Sequence, residues 1–109
     1  MKIPHAGDVR IDERKVRGYL LSTSHPVGRF KARVLAALGF DERGAPAFIE
    51  ELRRLAVEGD VSEVEETAFG QKYTVPGDLI GPLGTAPVIT VWFRERGVDR
   101  VRLVTVRPR

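Results

Sequence analysis

Hydrophobic periodicity changes once along this chain, at Gly59, and that switch dictates most of what the chain can fold into. Before it, apolar residues recur at three- and four-residue intervals, the repeat of one helix face. After it they tend to alternate, the repeat of one strand face. Helices first and strands afterwards is an α+β pattern. Three helical stretches precede the switch. Ile11 to Leu21 sets Val16, Tyr19 and Leu20 on one stripe, with Asp12 as its cap. Arg29 to Leu38 carries Phe30, Val34, Ala37 and Leu38 and stops at Gly39. A third helix opens at Gly44-Ala45-Pro46 and runs to about Val57, with Phe48, Ile49, Leu52, Leu55 and Ala56 inward.

Four strands follow: Val61 to Thr67, Gln71 to Val75, Pro87 to Arg94 and Arg100 to Val106. Gly81, Pro82 and Gly84 mark Asp78 to Thr85 as an exposed loop. The links are too short for crossovers, so the sheet is antiparallel. The expected fold is a single domain over 1–109, three helices packed on a four-stranded antiparallel sheet. Its core should include Phe30, Val34, Leu38, Phe48, Leu52, Leu55, Ile89, Val91 and Leu103.

The last hairpin admits two registers. A five-residue loop, Glu95 to Asp99, pairs Phe93 with Val101 and Val91 with Leu103. Ile89, Val91, Phe93, Val101, Leu103 and Thr105 then share the core face. Trp92, Arg94, Arg100 and Arg102 share the other, a surface suited to stacking bases and holding phosphates. An even loop would place Arg102 among Val91, Phe93 and Val104. Burying an unpartnered guanidinium costs several kcal/mol, which favours the odd loop. Trp92 packed beneath arginine stems as a small second core is the alternative use of that face.

Composition excludes several chemistries. The chain has no cysteine, so thiol nucleophiles, disulfides and thiolate metal sites are out. His5 and His25 are the only histidines, and neither sits at metal-ligand spacing. No cofactor or metal is therefore expected. There is no asparagine and a single glutamine, and arginine far outnumbers lysine, a thermophile-like bias that a GC-rich genome also produces. No apolar run reaches membrane-spanning length, and Met1-Lys2-Ile3-Pro4-His5 lacks a signal peptide's apolar core. No membrane partner and a cytoplasmic location are expected.

The net charge of +3 hides three blocks. Residues 1–40 and 90–109 are basic, and 41–67 is acidic. Joined in space, the basic blocks would suit phosphates. Ser24-His25-Pro26-Val27-Gly28-Arg29-Phe30-Lys31-Ala32-Arg33 is the sharpest local feature. Arg29, Lys31 and Arg33 open a helix with no acid nearby, against the helix dipole. Unpaired amides, an imidazole and three cations together suit an anion. Neutralisation of those cations by the acidic block is the structural alternative.

The motifs together carry a resemblance. His25-Pro26-x-Gly28-x-x-Lys31-Ala32, then Leu38-Gly39-Phe40, Gly70-x-Lys72-Tyr73, Val91-Trp92, and Arg102-Leu103-Val104-Thr105 with Pro108 resemble a family of small bacterial domains known only as a domain of unknown function. Tyr19-Leu20-Leu21 matches that family's first helix, and the resemblance covers nearly the whole chain. His5 stands where the family usually has Asn, and Arg107 where it has Tyr. More distantly, the order of helices and strands resembles the barnase–EndoU–colicin–RelE-like ribonucleases, many of them toxins that cleave RNA without metal.

That chemistry needs a base for the 2′-hydroxyl, an acid for the leaving oxygen, and cations for the phosphorane. His25 suits acid or base; Lys31 and Arg102 suit phosphate; Tyr73 and Thr105 suit hydrogen-bond donation, although Tyr73 also reads as core and Thr105 falls on the expected core face. Glu65 and Glu66 are alternative bases. Arg29, Arg33, Trp92, Arg94 and Arg100 are candidate anion or RNA contacts. The expected function is toxin-like RNA cleavage or RNA binding. The competing class is a non-catalytic, immunity-type module that holds an acidic protein partner on the arginine-rich sheet face.

Overall fold

The computed structural model describes residues 1–17 and 29–109. The expected architecture is present: three N-terminal helices pack against one antiparallel sheet, order β1-β2-β3-β4. The helices are α1 (Glu13–Lys15), α2 (Arg29–Ala37) and α3 (Ala45–Glu58), and the strands are β1 (Glu63–Thr67), β2 (Gly70–Gly81), β3 (Gly84–Glu95) and β4 (Arg102–Pro108). Only the start of the first expected helix falls among the described residues.

α3 has the sharpest sequence signature and the cleanest structure. Pro46 sits in its first turn, and Ala45, Phe48, Leu52, Leu55 and Ala56 are buried. It lies across β2, while α2 lies against β4. The inner sheet face supplies Tyr73, Val75, Leu79, Val88, Trp92, Val101, Leu103 and Val106 to the core. Of the expected core, Leu38, Phe48, Leu52, Leu55 and Leu103 are buried. Val34 is half-buried, and the side chain of Phe30 lies outside the described set.

Two expectations about the sheet are overturned. Asp78 to Thr85 is not an exposed loop: β2 and β3 run on as one long hairpin, Asp78 opposite Pro87 and Gly81 opposite Gly84. Glycines along the hairpin, Gly77 just before this stretch and Gly81 within it, make room for the helical layer. A Cβ on Gly77 would come within 2.8 Å of Leu55 Cδ2, and one on Gly81 within 2.1 Å of the Leu38 carbonyl oxygen. Glycine in a strand marks such close approach. The Leu83 amide donates to the Leu38 carbonyl at 3.0 Å, the Ile80 amide to Glu51 at 2.9 Å, and Arg54 to the Asp78 carbonyl at 2.9 Å.

The second correction is the β3–β4 register. Phe93 pairs with Arg102, Trp92 with Leu103 and Val91 with Thr105, with a register shift between Val91 and Trp92. That irregularity takes up Val104 and lets Val101, Leu103 and Val106 all face inward. Ile89, Val91 and Phe93 therefore lie half-buried on the outer face, and Trp92 is 0% exposed in the core. Arg102 shares a face with Phe93, against the expected odd loop, because it has partners there. It meets Glu95 at 2.6 Å and lies 5.4 Å from the Phe93 ring centroid. The indole is satisfied too: Trp92 Nε1 donates to Thr90 Oγ1, which donates to the Val75 carbonyl, both at 2.8 Å.

Candidate functional site: grooves beside β4 and at the hairpin end

β4 is an edge strand, and the N-terminal segment closes part of that edge. The Arg10 amide donates to the Val101 carbonyl at 2.8 Å, and the Leu103 amide donates to the Arg10 carbonyl at 2.9 Å. Asp12 caps α1 by accepting from the Arg14 amide, and Lys15 donates to the Val104 carbonyl. A groove of about 270 Å³ results, lined by Arg10, Asp12, Lys15, Arg102 and Leu103. Three cations, two from the N-terminal segment and one from β4, meet there, and Asp12, committed to its cap, is the one acid in the lining.

A second groove, about 370 Å³, lies on the outer sheet face. Lys72, Thr74, Val91, Val104, Thr105, Arg107 and Glu63 line it. Thr105, expected on the core face, is thus placed on the open side by the register shift. Lys72 pairs with Glu65 at 3.1 Å. A third groove, about 450 Å³, lies between the β1–β2 and β3–β4 turns and is lined by Glu66, Gln71, Arg94, Glu95 and Arg96 with Gly70 and Gly97.

The sequence-derived candidates scatter across this map. Arg102 and Thr105 share β4, and Lys31 falls on α2, the helix laid against that strand. The side chains of Arg29 and Lys31 lie outside the described set, and His25 lies outside the described residues. Arg33 is exposed. Tyr73 does not join the group: it is 2% exposed, and its hydroxyl donates inside the sheet to Gln71 Oε1 at 2.6 Å. Buried Trp92 offers no surface for base stacking. Arg100 is drawn to the N-terminal turn, donating to the Asp8 carbonyl at 2.8 Å. Arg94 donates to the Val98 carbonyl at 3.1 Å and meets Asp99 at 3.5 Å.

Sequence reasoning missed Arg10, Lys15, Lys72 and Arg96 as groove residues. Arg10 and Lys15 reach β4 by pairing some ninety residues distant in the chain, which no local pattern encodes. Arg107 had one signal, its replacement of the tyrosine in the closing motif. Among the described residues no three His, Asp or Glu side chains gather as a metal site. Among them, too, no helix is long and apolar enough to cross a membrane.

No curated protein matches the chain. Among solved structures, it is similar to a chain of a contact-dependent growth inhibition toxin–immunity protein complex from Klebsiella pneumoniae 342. The TM-score is 0.71 at 18% identity, over 91% of this chain and 98% of that one, a likeness of fold. Across residues 2–109 the sequence matches one family, and the chain belongs to it: domain of unknown function DUF6883.

Proposed function

We propose that the chain is a toxin-like domain that binds RNA and cleaves it without a metal, with β4 as the phosphate-holding strand. The observation that carries this reading is the convergence of Arg10, Lys15 and Arg102 in one groove beside the strand that α2 also touches. A backbone phosphate between guanidinium and ammonium groups is held by charge-assisted hydrogen bonds. Lys31 and Thr105 would serve the same phosphodiester from α2 and the outer face of β4. The imidazole of His25 would exchange the proton of the 2′-hydroxyl or the leaving oxygen. The fold likeness to a chain of a toxin–immunity complex adds support.

The test is incubation of the full chain with mixed RNA, with and without chelator. Cleavage should persist in chelator and disappear in His25→Ala with the melting temperature nearly unchanged. A His25→Ala protein that loses stability while the wild type leaves RNA intact would retire the nuclease reading. A second reading, a non-catalytic module for an acidic protein partner, rests on the outer face, where half-buried Ile89, Val91 and Phe93 stand with Lys72, Arg102 and Arg107. It predicts no binding to RNA at near-physiological salt.

A further inference from the structure

Both long helices pack on the inner face of the sheet, and among the described residues no helix lies across the outer one. Strand pairing orders that outer face in rungs. Glu65, Lys72, Phe93 and Arg102 form one rung; Glu63, Thr74, Val91 and Thr105 the next; Pro76, Ile89 and Arg107 a third. The face therefore changes character from edge to edge. Acids stand on β1, half-buried Pro76, Ile89, Val91 and Phe93 run down the middle, and arginines stand on β4. Two of the edge charges have partners within the chain: Glu65 meets Lys72 at 3.1 Å, and Arg102 meets Glu95 at 2.6 Å. Exposed Glu63 and Arg107 have no ion-pair partner among the described residues. With strands about 4.8 Å apart, some ~14 Å of sheet lies between β1 and β4, which keeps these two from meeting within one chain.

We infer that the outer face is a self-association surface, occupied by a second copy of this chain turned about a two-fold axis that runs along the strands between β2 and β3. Such an interface is isologous, so every contact occurs twice. The turn lays β1 of one copy over β4 of the other. Glu65 then faces Arg102 of the second copy, Lys72 its Phe93 ring, Thr74 its Val91 and Pro76 its Ile89. Glu63 lies one rung from the second copy's Arg107, within reach of that long side chain. A two-fold across the strands would set β1 on β1 and β4 on β4, acid on acid and arginine on arginine, which is repulsive. An acidic partner protein would be attracted at β4 and repelled at Glu63 and Glu65, whereas a second copy is matched at both edges. An apolar centre with a charged rim is the anatomy of a protein interface. Four strands of about seven residues make a face of roughly 450 Å² per copy. That lies at the low end for specific contacts, so the dimer is weak and reversible, with a dissociation constant on the order of 10–100 µM. The rim charges add little affinity but fix the orientation. Self-association does not rest on the RNA reading; it covers Thr105, so a second copy and a phosphate held there exclude each other.

The test is sedimentation equilibrium of the full chain at low salt, over about 1 to 300 µM, which should show monomer and dimer in exchange. Val91→Arg should leave a monomer across that range, with far-UV circular dichroism reporting the retained fold. A sharper arm uses two exposed positions that leave the core untouched. Glu63→Arg and Arg107→Glu should each weaken self-association at least about fivefold, because each sets like charges together at two places. Mixed in equal amounts, the two variants should associate about as tightly as the wild type, since each repulsion becomes an attraction. A wild type that is monomeric throughout, a dimer indifferent to Val91→Arg in a folded variant, or a mixture no tighter than its components would overturn the surface. In a monomeric chain, amide signals of Val91 and Thr105 that move on adding poly-glutamate would give the face to an acidic protein instead.

Discussion

Thr90 is the one buried polar side chain among the described core residues, and its hydroxyl is used twice. It donates to the Val75 carbonyl and accepts from the Trp92 indole, which is what allows Trp92 to be fully buried. Thr90→Val keeps the shape and strands the indole N–H, so it should cost about 1–3 kcal/mol in urea unfolding, the penalty of an orphaned buried donor. A loss near zero would mean that the indole finds another acceptor. At this scale the sequence was legible where burial follows from hydrophobicity alone, as with Phe48, Leu52 and Leu55. It was illegible at Trp92 and Arg102, where the outcome turned on partners. Arg102 tolerates a face shared with Phe93 because Glu95, on the preceding strand, neutralises it.

Among the elements, α3 is the scaffold on which the long hairpin is held. Leu52 is 0% exposed beneath it, and Leu52→Ala should cost roughly 2–5 kcal/mol by loss of packing and cavity formation. Glu51 does a different job on the same helix. Burial raises the pKa of its carboxyl, but hydrogen bonds from Arg54 and the Ile80 amide outweigh that and hold it below the ordinary carboxylate value. A carboxylate with a lowered folded pKa stabilises the fold above its unfolded pKa of about 4.3, and that stability fades as pH falls through the folded value. The advantage of the wild type over Glu51→Gln should therefore be full at neutral pH, about 1.5–3 kcal/mol for hydrogen bonds to a charged acceptor, and shrink in acid. An advantage independent of pH would contradict the ionic character of this contact. A different long-range contact explains why the hairpin was missed. Gly81 looks like a breaker until Leu38, far away in sequence, is seen resting on it.

At the scale of the whole molecule, the basic first and last segments do meet, as their charge allowed. The N-terminal segment bridges to β4 beside Arg102, while the acidic middle is spent on α3 and the edge strand β1. The pairing of Arg10 with β4 could not be read locally, so the candidate phosphate groove emerged only from the fold. Its test is the salt dependence of RNA binding by the wild type and by Arg10→Ala/Arg102→Ala, both side chains reaching the groove from partly exposed positions. Each lost phosphate contact removes about 0.7–0.9 from the slope of log affinity against log salt. If the groove holds the backbone, the double variant keeps its fold, binds at least about tenfold more weakly near physiological salt, and loses about 1.5 from that slope. Unchanged affinity and slope in a folded double variant would contradict the placement of RNA beside β4.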